Sequence, residues 1–440
     1  MSYIVGHPIK RPSDFYGRSS QVARFYEIIG GTQAQSASVL GVRRAGKTSF
    51  LQYVAHRSIK AKYLRDPDNY TMIYINMSTC KKPADFYYGL LRRLQYALGM
   101  AETGFLWKES PPNATSMYDV EVFLCQFPER RIILLLDEFD QIRVDTFSQE
   151  FLTELRAMTS VLDYDLAFVT ASYWDLYYLG TQIGLPPTSP FYNIFYPTPI
   201  YIPGLEESEI DALIQKPAAE DGFPLTEEEV GQIKQLAGSL PFFVQATAAY
   251  WLRCRKSEYV PDPEQARQIL AGELSPYFEQ WWRSFDNGYR EVLRCVADNL
   301  DLAILPYSPV EVQEAVRILG NYGMVVQENG RLAINGAIFA LWVQQYAQLA
   351  EQRQTLHVPN NGQHKWPAPP TDPAKLRLVL TDYFSLEDLR ALCFDLGLDI
   401  EDFPGTSKQA KAIGLIEYWR NRHELGRLVQ AIRQERGAIV

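Results

Sequence analysis

The 440-residue sequence predicts an α/β fold on a parallel sheet, followed by a helical lid, a winged helix and a C-terminal all-α bundle. Three observations carry that expectation. From residue 37 to about 203, short apolar runs alternate with helical patterns, as in a doubly wound sheet. The run Gly41-Val-Arg-Arg-Ala-Gly46-Lys47-Thr48-Ser49 fits G-x-x-x-x-G-K-[ST] between such a strand and a helix. The run Arg131-Ile-Ile-Leu-Leu-Leu-Asp137-Glu138-Phe139-Asp140 is a wholly apolar strand ending in carboxylates, the pattern of a central strand covered on both faces.

The chemistry of the first motif follows from its glycines. Gly41 and Gly46 let the backbone fold so that its N–H groups converge on phosphate oxygens at a helix N-terminus, with Arg44, Ala45 and Ser49 completing the loop. Lys47 would reach the terminal phosphates and Thr48 would ligate Mg²⁺. Carboxylates at the end of a neighbouring strand fall at the carboxyl edge of the sheet, where ligands collect. Asp137 is the expected Mg²⁺ partner and Glu138 the expected base that orients water. A Gly-bearing turn and a solvated acidic strand end are the plain alternatives, but the two motifs together favour an ATPase site binding ATP or ADP with Mg²⁺.

Composition sets bounds. The length suits about three domains, and 47% hydrophobic with 22% charged residues is the balance of a soluble globular protein. A net charge of −9 argues against binding nucleic acid by bulk electrostatics. Cys80, Cys125, Cys254, Cys295 and Cys393 form no C-x-x-C pair and are odd in number, so neither a zinc site nor a disulfide framework is expected, and a reducing cytoplasm is. No apolar run reaches membrane-span length and the N-terminus lacks a signal-peptide pattern, so membrane insertion is not expected.

Taken in order, strands are expected over 37–42, 71–76, 132–136, 166–170 and 199–202, with a Gly- and Pro-bearing surface loop over 101–116. Residues 1–204 thus form the nucleotide-binding α/β domain. Apolar residues at helical spacing over 207–216, 226–237, 241–255 and 263–273 make a helical lid, 205–274. In 275–350 a helical segment, a break at 304–308, a second helix and an Asn329-Gly330 turn between two short apolar strands read as a winged helix. The stretch 351–373, rich in Pro and Gly, is a linker. Beyond it, 374–440 carries helices over 376–383, 385–396, 408–421 and 425–435, the second opened by a capping box at Ser385 and followed by a turn at Phe403-Pro404-Gly405. This last unit holds no catalytic constellation, and Cys393 reads as core.

With these motifs in place, residues 8–350 resemble the STAND-type signalling ATPases of the AAA+ superfamily, in the branch near the archaeal ATPases. The resemblance rests on Phe15-Tyr16-Gly17-Arg18 near the N-terminus, on the Arg43-Arg44 pair and on Asp137-Glu138-Phe139-Asp140. It continues in Thr170-Ala-Ser172, in Ser189-Pro-Phe-Tyr-Asn-Ile-Phe195 and in Gly238-Ser-Leu-Pro241. It implies that Phe15, Tyr16, Gly17 and Arg18 line the adenine side, that Pro241 touches nucleotide from the lid, and that Thr170 or Ser172 senses the γ-phosphate. Two departures stand out: Ser239 replaces a usual Gly and Gln21 a usual Glu. No arginine finger is marked by spacing, and Arg156 is a candidate only.

The C-terminal unit looks like the bacterial death-like or effector-associated adaptor domains, on Ser385-Leu-Glu-Asp-Leu-Arg-Ala-Leu-Cys-Phe-Asp-Leu-Gly397 and Phe403-Pro-Gly405. Such modules pair with like modules on effectors. Acidic Asp395, Asp399, Glu401 and Asp402 precede basic Lys408, Lys411, Arg420, Arg422 and Arg427, an asymmetry suited to head-to-tail contacts. The expectation is a nucleotide-controlled switch that forms a homo-oligomer and recruits an effector protein, in bacterial antiphage immunity or programmed cell death. With no repeat array in the chain, a separate sensor or trigger is expected. An origin-recognition-like DNA-handling ATPase ranks second, since the wing Gln327-Glu-Asn-Gly-Arg331 offers little for phosphates, so DNA is not an expected partner.

Overall fold

The computed structural model describes residues 3–99, 115–142, 146–328 and 330–347, together with 376, 380–381, 386–396, 398–400, 403, 408–422, 427–428 and 432. The chain divides into two compact units, Met1–Val358 and Pro359–Val440. Most of the expected loop over 101–116, the wing-turn residue Asn329, the linker, the Ser385 cap and most of the last expected helix lie outside the described residues.

The first unit begins with helix α1, Ser19–Ile29, and strand β1, Ala37–Leu40. Helices α2, Lys47–Ala55, and α3, Arg57–Tyr63, lead to β2, Tyr70–Asn76. Then come α4, Pro83–Ala97, α5, Met117–Leu124, and β3, Arg131–Asp137. Helix α6, Gln149–Met158, precedes β4, Asp165–Ser172, and α7, Leu176–Gln182, precedes β5, Ile200–Tyr201. The five strands pair in parallel in the order β2-β3-β4-β1-β5. All five fall where the apolar runs place them, because a strand covered on both faces needs no alternation to be recognised. In β3 the pleat sends Ile133 and Leu135 into one core and Ile132, Leu134 and Leu136 into another, so the sheet separates two hydrophobic layers.

The lid comprises α8, Glu207–Glu220, α9, Glu227–Ala237, α10, Pro241–Lys256, and α11, Pro263–Glu273. Capping boxes at Glu206/Glu209 and Thr226/Glu229 open the first two, and Pro241 opens the third at a position where no N–H is required. Helix α8 runs four residues past the expected end at Lys216. Pro217 lies inside it, buried beside Ala218, and tertiary packing holds a turn that proline by itself disfavours.

Helices α12, Ser275–Ser284, α13, Asn287–Ala297, and α14, Pro309–Asn321, precede an antiparallel pair, β6, Val325–Glu328, and β7, Arg331–Ile334, which is a winged helix. The break at 304–308 ends in Ser308, whose capping box with Glu311 starts α14. Helix α15, Ala337–Gln345, is the last described element of this unit. Phe278 of α12 stacks on Phe243 of α10 at 4.9 Å and on Phe339 of α15 at 5.0 Å, so lid and winged helix share one aromatic core. No described helix is long and apolar enough to cross a membrane.

The second unit has its own core. Helices Leu386–Asp395 and Lys408–Asn421 bring Leu389, Leu392, Cys393, Leu415, Ile416 and Trp419 together. Cys393 is core, as its apolar flanks suggest. Lys411 is not the surface charge expected from the basic run. It is buried, and its ammonium donates to the carbonyls of Ile400 at 3.1 Å and Phe403 at 2.9 Å. Those carbonyls lie between the two helices, so the side chain acts as an internal tie. In the full chain, Lys411→Ala is expected to cost this unit about 1–3 kcal/mol by leaving buried carbonyls unpaired. The measurement is amide-exchange protection, lost over Leu386–Asn421 and unchanged in the first unit.

Candidate functional site

The glycine loop follows β1 and ends on α2. Gly46, at φ +100°, turns the chain into the helix, and Arg44 adopts φ +69° within the loop. A run of left-handed and helical residues leaves successive N–H groups pointing to one side, an anion-binding concavity. Lys47 folds back over the loop, its Nζ donating to the carbonyls of Gly41 at 2.8 Å and Val42 at 3.2 Å. Burial pushes its pKa down, and the nearby Asp140, Glu138 and Asp137 oppose that. Ala45 is fully buried, while Ser49 accepts from the N–H of Ile9 at 3.0 Å.

The carboxylates come from β3, which pairs with β4 rather than with β1. Asp137 is 1% exposed and fully engaged. Its Oδ2 accepts from Thr48 Oγ1 at 2.7 Å and from Tyr74 OH at 2.7 Å, and its Oδ1 accepts from the N–H of Glu138 at 3.0 Å. A hydroxyl and a carboxylate in contact are a donor set that suits Mg²⁺, a hard cation bound by oxygen. Glu138 stands at φ +53°, a strained conformation for a residue with a Cβ. Burial, then the charge of Asp140, raises its pKa, and Lys47 and Arg43 partly offset this.

Lys47, Thr48 and Glu138 open onto a cleft of about 410 Å³, also lined among others by Phe15, Tyr16 and Pro241, whereas buried Asp137 is not among its lining residues and meets it through Thr48. Its size is that of small-ligand sites. Phe15 stacks on Tyr53 of α2 at 4.1 Å, and Lys216 of α8 lies 5.4 Å from the ring of Tyr16. Gly17 is clasped by the lid, since a Cβ there would sit 2.2 Å from the Glu209 carboxyl, and its φ is +73°. Arg18, also at positive φ, donates its N–H to Glu209 at 2.8 Å and its Nη2 to the carbonyl of Ala45 at 2.7 Å. This cation is 3% exposed, and burial pushes its pKa down to about 10. Arg18 therefore braces the phosphate loop from behind as well as lining the cleft.

Residues 3–9 form a wall that sequence reasoning missed. Tyr3 OH donates to Ile214 O, Ile4 N–H to Gln245 at 3.0 Å, and Arg44 Nη1 to the carbonyl of Gly6 at 3.1 Å. Nothing periodic marks this stretch, because an irregular strap leaves no spacing signal. The Arg44 guanidinium also lies 4.9 Å from the Phe242 ring and 5.0 Å from that of Tyr277, tying loop, lid and winged helix together.

Thr170 and Ser172 are not brought to the cleft. Both are fully buried on β4, and Ser172 Oγ donates to the carbonyl of Trp174 at 2.6 Å. Arg156 is exposed on the last turn of α6 and does not line the cleft. The departure at Ser239 has a structural reason. Asn335, just past β7, accepts from the Ser239 N–H at 3.0 Å and donates to Ser239 Oγ at 2.8 Å and to the Gly323 carbonyl at 2.6 Å. A serine therefore joins lid to winged helix. Two further bonds reach the segments just past the ends of β1 and β4: Trp281 Nε1 of α12 donates to the Arg43 carbonyl at 3.0 Å, and Tyr322 OH to the Tyr173 carbonyl at 2.8 Å. Gln280, beside Trp281, lines the cleft.

Residues 123–299 match the family model described as Novel STAND NTPase 2, and residues 376–437 match Effector-associated domain 7. No curated protein matches the chain. Among solved structures, the Walker-type ATPase of Pyrococcus abyssi is similar with a TM-score of 0.53 and 16% identity, over 78% of this chain and 100% of that one. The Aeropyrum pernix ORC2 protein in its ADPNP-ADP complexes gives a TM-score of 0.44 and 12% identity, over 80% and 97%. The ORC1 protein of the same organism in complex with DNA gives 0.39 and 13%, over 77% and 94%. The first of these shows a shared fold. The two family matches agree with both resemblances drawn from the motifs, and the first of them spans Asp137 and Glu138.

Gly17→Ala places a methyl against the Glu209 carboxyl, which is held by two N–H groups, and forces a residue with a Cβ to positive φ. A loss of about 1–3 kcal/mol is expected, read as a lowered Tm of the first unit together with weaker nucleotide binding.

Proposed function

We propose that this chain, a STAND-type P-loop NTPase with an effector-associated domain, is a signalling switch set by whether ATP or ADP occupies the cleft. The observation that carries the reading is that the winged helix touches the phosphate loop itself, through Trp281 and the Arg43 carbonyl, while Gln280 reaches the cleft. A change at the terminal phosphate and undocking of the winged helix then act on the same few atoms. Lys47 and the loop N–H groups hold the phosphates, Thr48 and Asp137 hold Mg²⁺, and Glu138 orients water. Bound Mg²⁺ supplies charge neutralisation at the terminal phosphates. Phe15, Tyr16 and Arg18 flank the base, and Pro241 closes over the nucleotide.

In this reading the closed form is resting, exchange or a separate trigger frees the winged helix, and the chain assembles with copies of itself. The C-terminal unit then recruits an effector bearing a like domain, in the cytoplasm, in antiphage immunity or programmed cell death. Hydrolysis is slow because a switch needs a long-lived state. The match to an effector-associated domain supports the recruiting role.

Lys47→Ala should abolish binding of adenine nucleotide with Mg²⁺, checked by calorimetry, and retained affinity would count against the site. Glu138→Gln should keep binding and lose hydrolysis, since the amide preserves shape but cannot accept a proton. Trp281→Phe keeps an aromatic side chain in this packed site but removes the indole N–H donor. A hydrogen bond worth about 1 kcal/mol shifts a closed-to-open balance about fivefold, so ATP-dependent self-association should begin at correspondingly lower protein concentration in light scattering. An unchanged threshold would remove Trp281 from the latch.

A further inference from the structure

Asp137 has a second hydroxyl partner, and neither its motif nor the family match assigns that partner a role. We propose that Tyr74 is a positioning residue for the Mg²⁺ site: its hydroxyl fixes the Asp137 carboxylate in the orientation that Thr48 and the metal share. The inference rests on the reading of the cleft as a Mg²⁺-nucleotide site and adds the residue that sets its metal requirement.

The sheet register makes the contact. Tyr74 of β2 is paired with Leu135 of β3, so Asp137, two residues on, lies diagonally across on the same face. A long side chain spans that diagonal, and the Tyr74 hydroxyl meets Asp137 Oδ2 at 2.7 Å, the oxygen that Thr48 also donates to at 2.7 Å. The other oxygen accepts from Glu138 N–H at 3.0 Å. Three donors on two oxygens leave the carboxylate no free rotation. Without Tyr74, the bond from Thr48 would be the only side-chain restraint in this set, and the plane of the carboxylate could turn about its bond to Cβ.

The same chain of bonds reaches the base. The N–H held by Asp137 Oδ1 belongs to the residue at φ +53°, so the carboxylate pins the strained backbone that aims Glu138. Groups that orient a metal ligand from outside the coordination sphere typically contribute 10–100-fold to metal affinity or activity. Tyr74 is half-buried against the core layer that holds Ile133 and Leu135, with Arg93 and Glu138 the other charges near its hydroxyl. It touches neither motif in sequence, being 26 residues past Thr48 and 63 before Asp137.

The test is Tyr74→Phe in the full chain, which keeps the ring and removes one oxygen. Binding of a fluorescent ATP analogue is titrated with Mg²⁺, and also measured in EDTA. The half-saturating Mg²⁺ concentration is expected to rise about tenfold while affinity in EDTA stays the same, since phosphate contacts come from the loop. Hydrolysis should fall further than binding, because Glu138 is also released. An unchanged or lowered Mg²⁺ requirement overturns the proposal. So does an equal loss with and without Mg²⁺, which would mark Tyr74 as a packing residue. If the parent protein binds no nucleotide, or binds it without regard to Mg²⁺, the reading of the cleft itself fails, a distinct result.

Discussion

A buried carboxylate must be satisfied on both oxygens, and the first unit is arranged around meeting that demand at Asp137. Its charge at 1% exposure is tolerable only because Thr48, Tyr74 and the backbone of Glu138 donate to it. These donors come from α2, from β2 and from the residue that follows β3, so two elements distant in the chain converge on the end of a third. The order β2-β3-β4-β1-β5 brings them together, since the crossover from β1 to β2 carries the chain to the far edge and lets β3 return one strand away. The parallel sheet thus sets where the carboxylate lies, and the carboxylate sets how the phosphate helix begins.

From this point the restraints run outward. Arg18 holds the Ala45 carbonyl from behind, and Glu209 holds the Arg18 N–H, so the loop is braced by the lid rather than by the sheet alone. The lid is in turn tied to the winged helix by Asn335, which bonds Ser239 and the carbonyl of Gly323. Close backbone approach makes this junction possible. A Cβ at Gly238 would sit 2.3 Å from Asn335 Oδ1, and one at Gly323 2.8 Å from the Gly204 nitrogen. Interfaces this tight have few intermediate positions, which suits an element that is either docked or free.

The second unit obeys a different rule. It is small, and Lys411 supplies an internal tie between its helices where a larger domain would use more apolar contact. A basic residue in a charged run is therefore not always a docking charge. On the same helix Arg420 remains exposed, and the Arg422 guanidinium, in the turn that follows, sits 3.6 Å from the Tyr418 ring.

The sequence by itself determined the α/β class, all five strands, the four lid helices and the wing, and it marked the glycine loop and the acidic strand end that the fold brings together through Thr48 and Asp137. Each has a local cause: strands covered on both faces are apolar throughout, lid helices repeat at helical spacing, and phosphate loops need glycine at fixed offsets. Only the tertiary structure decided what depends on distant partners. Tyr74 is one alternating residue in β2 until the register brings it diagonal to Asp137. Residues 3–9 have no period, Ser239 looks like a departure until Asn335 meets it, and Thr170 and Ser172 sit at the expected strand end with their side chains buried away from the cleft. Spacing reports the neighbours a residue has along its own element, whereas the groups that orient this site are neighbours across strands and domains, fixed by register and packing that no single segment encodes.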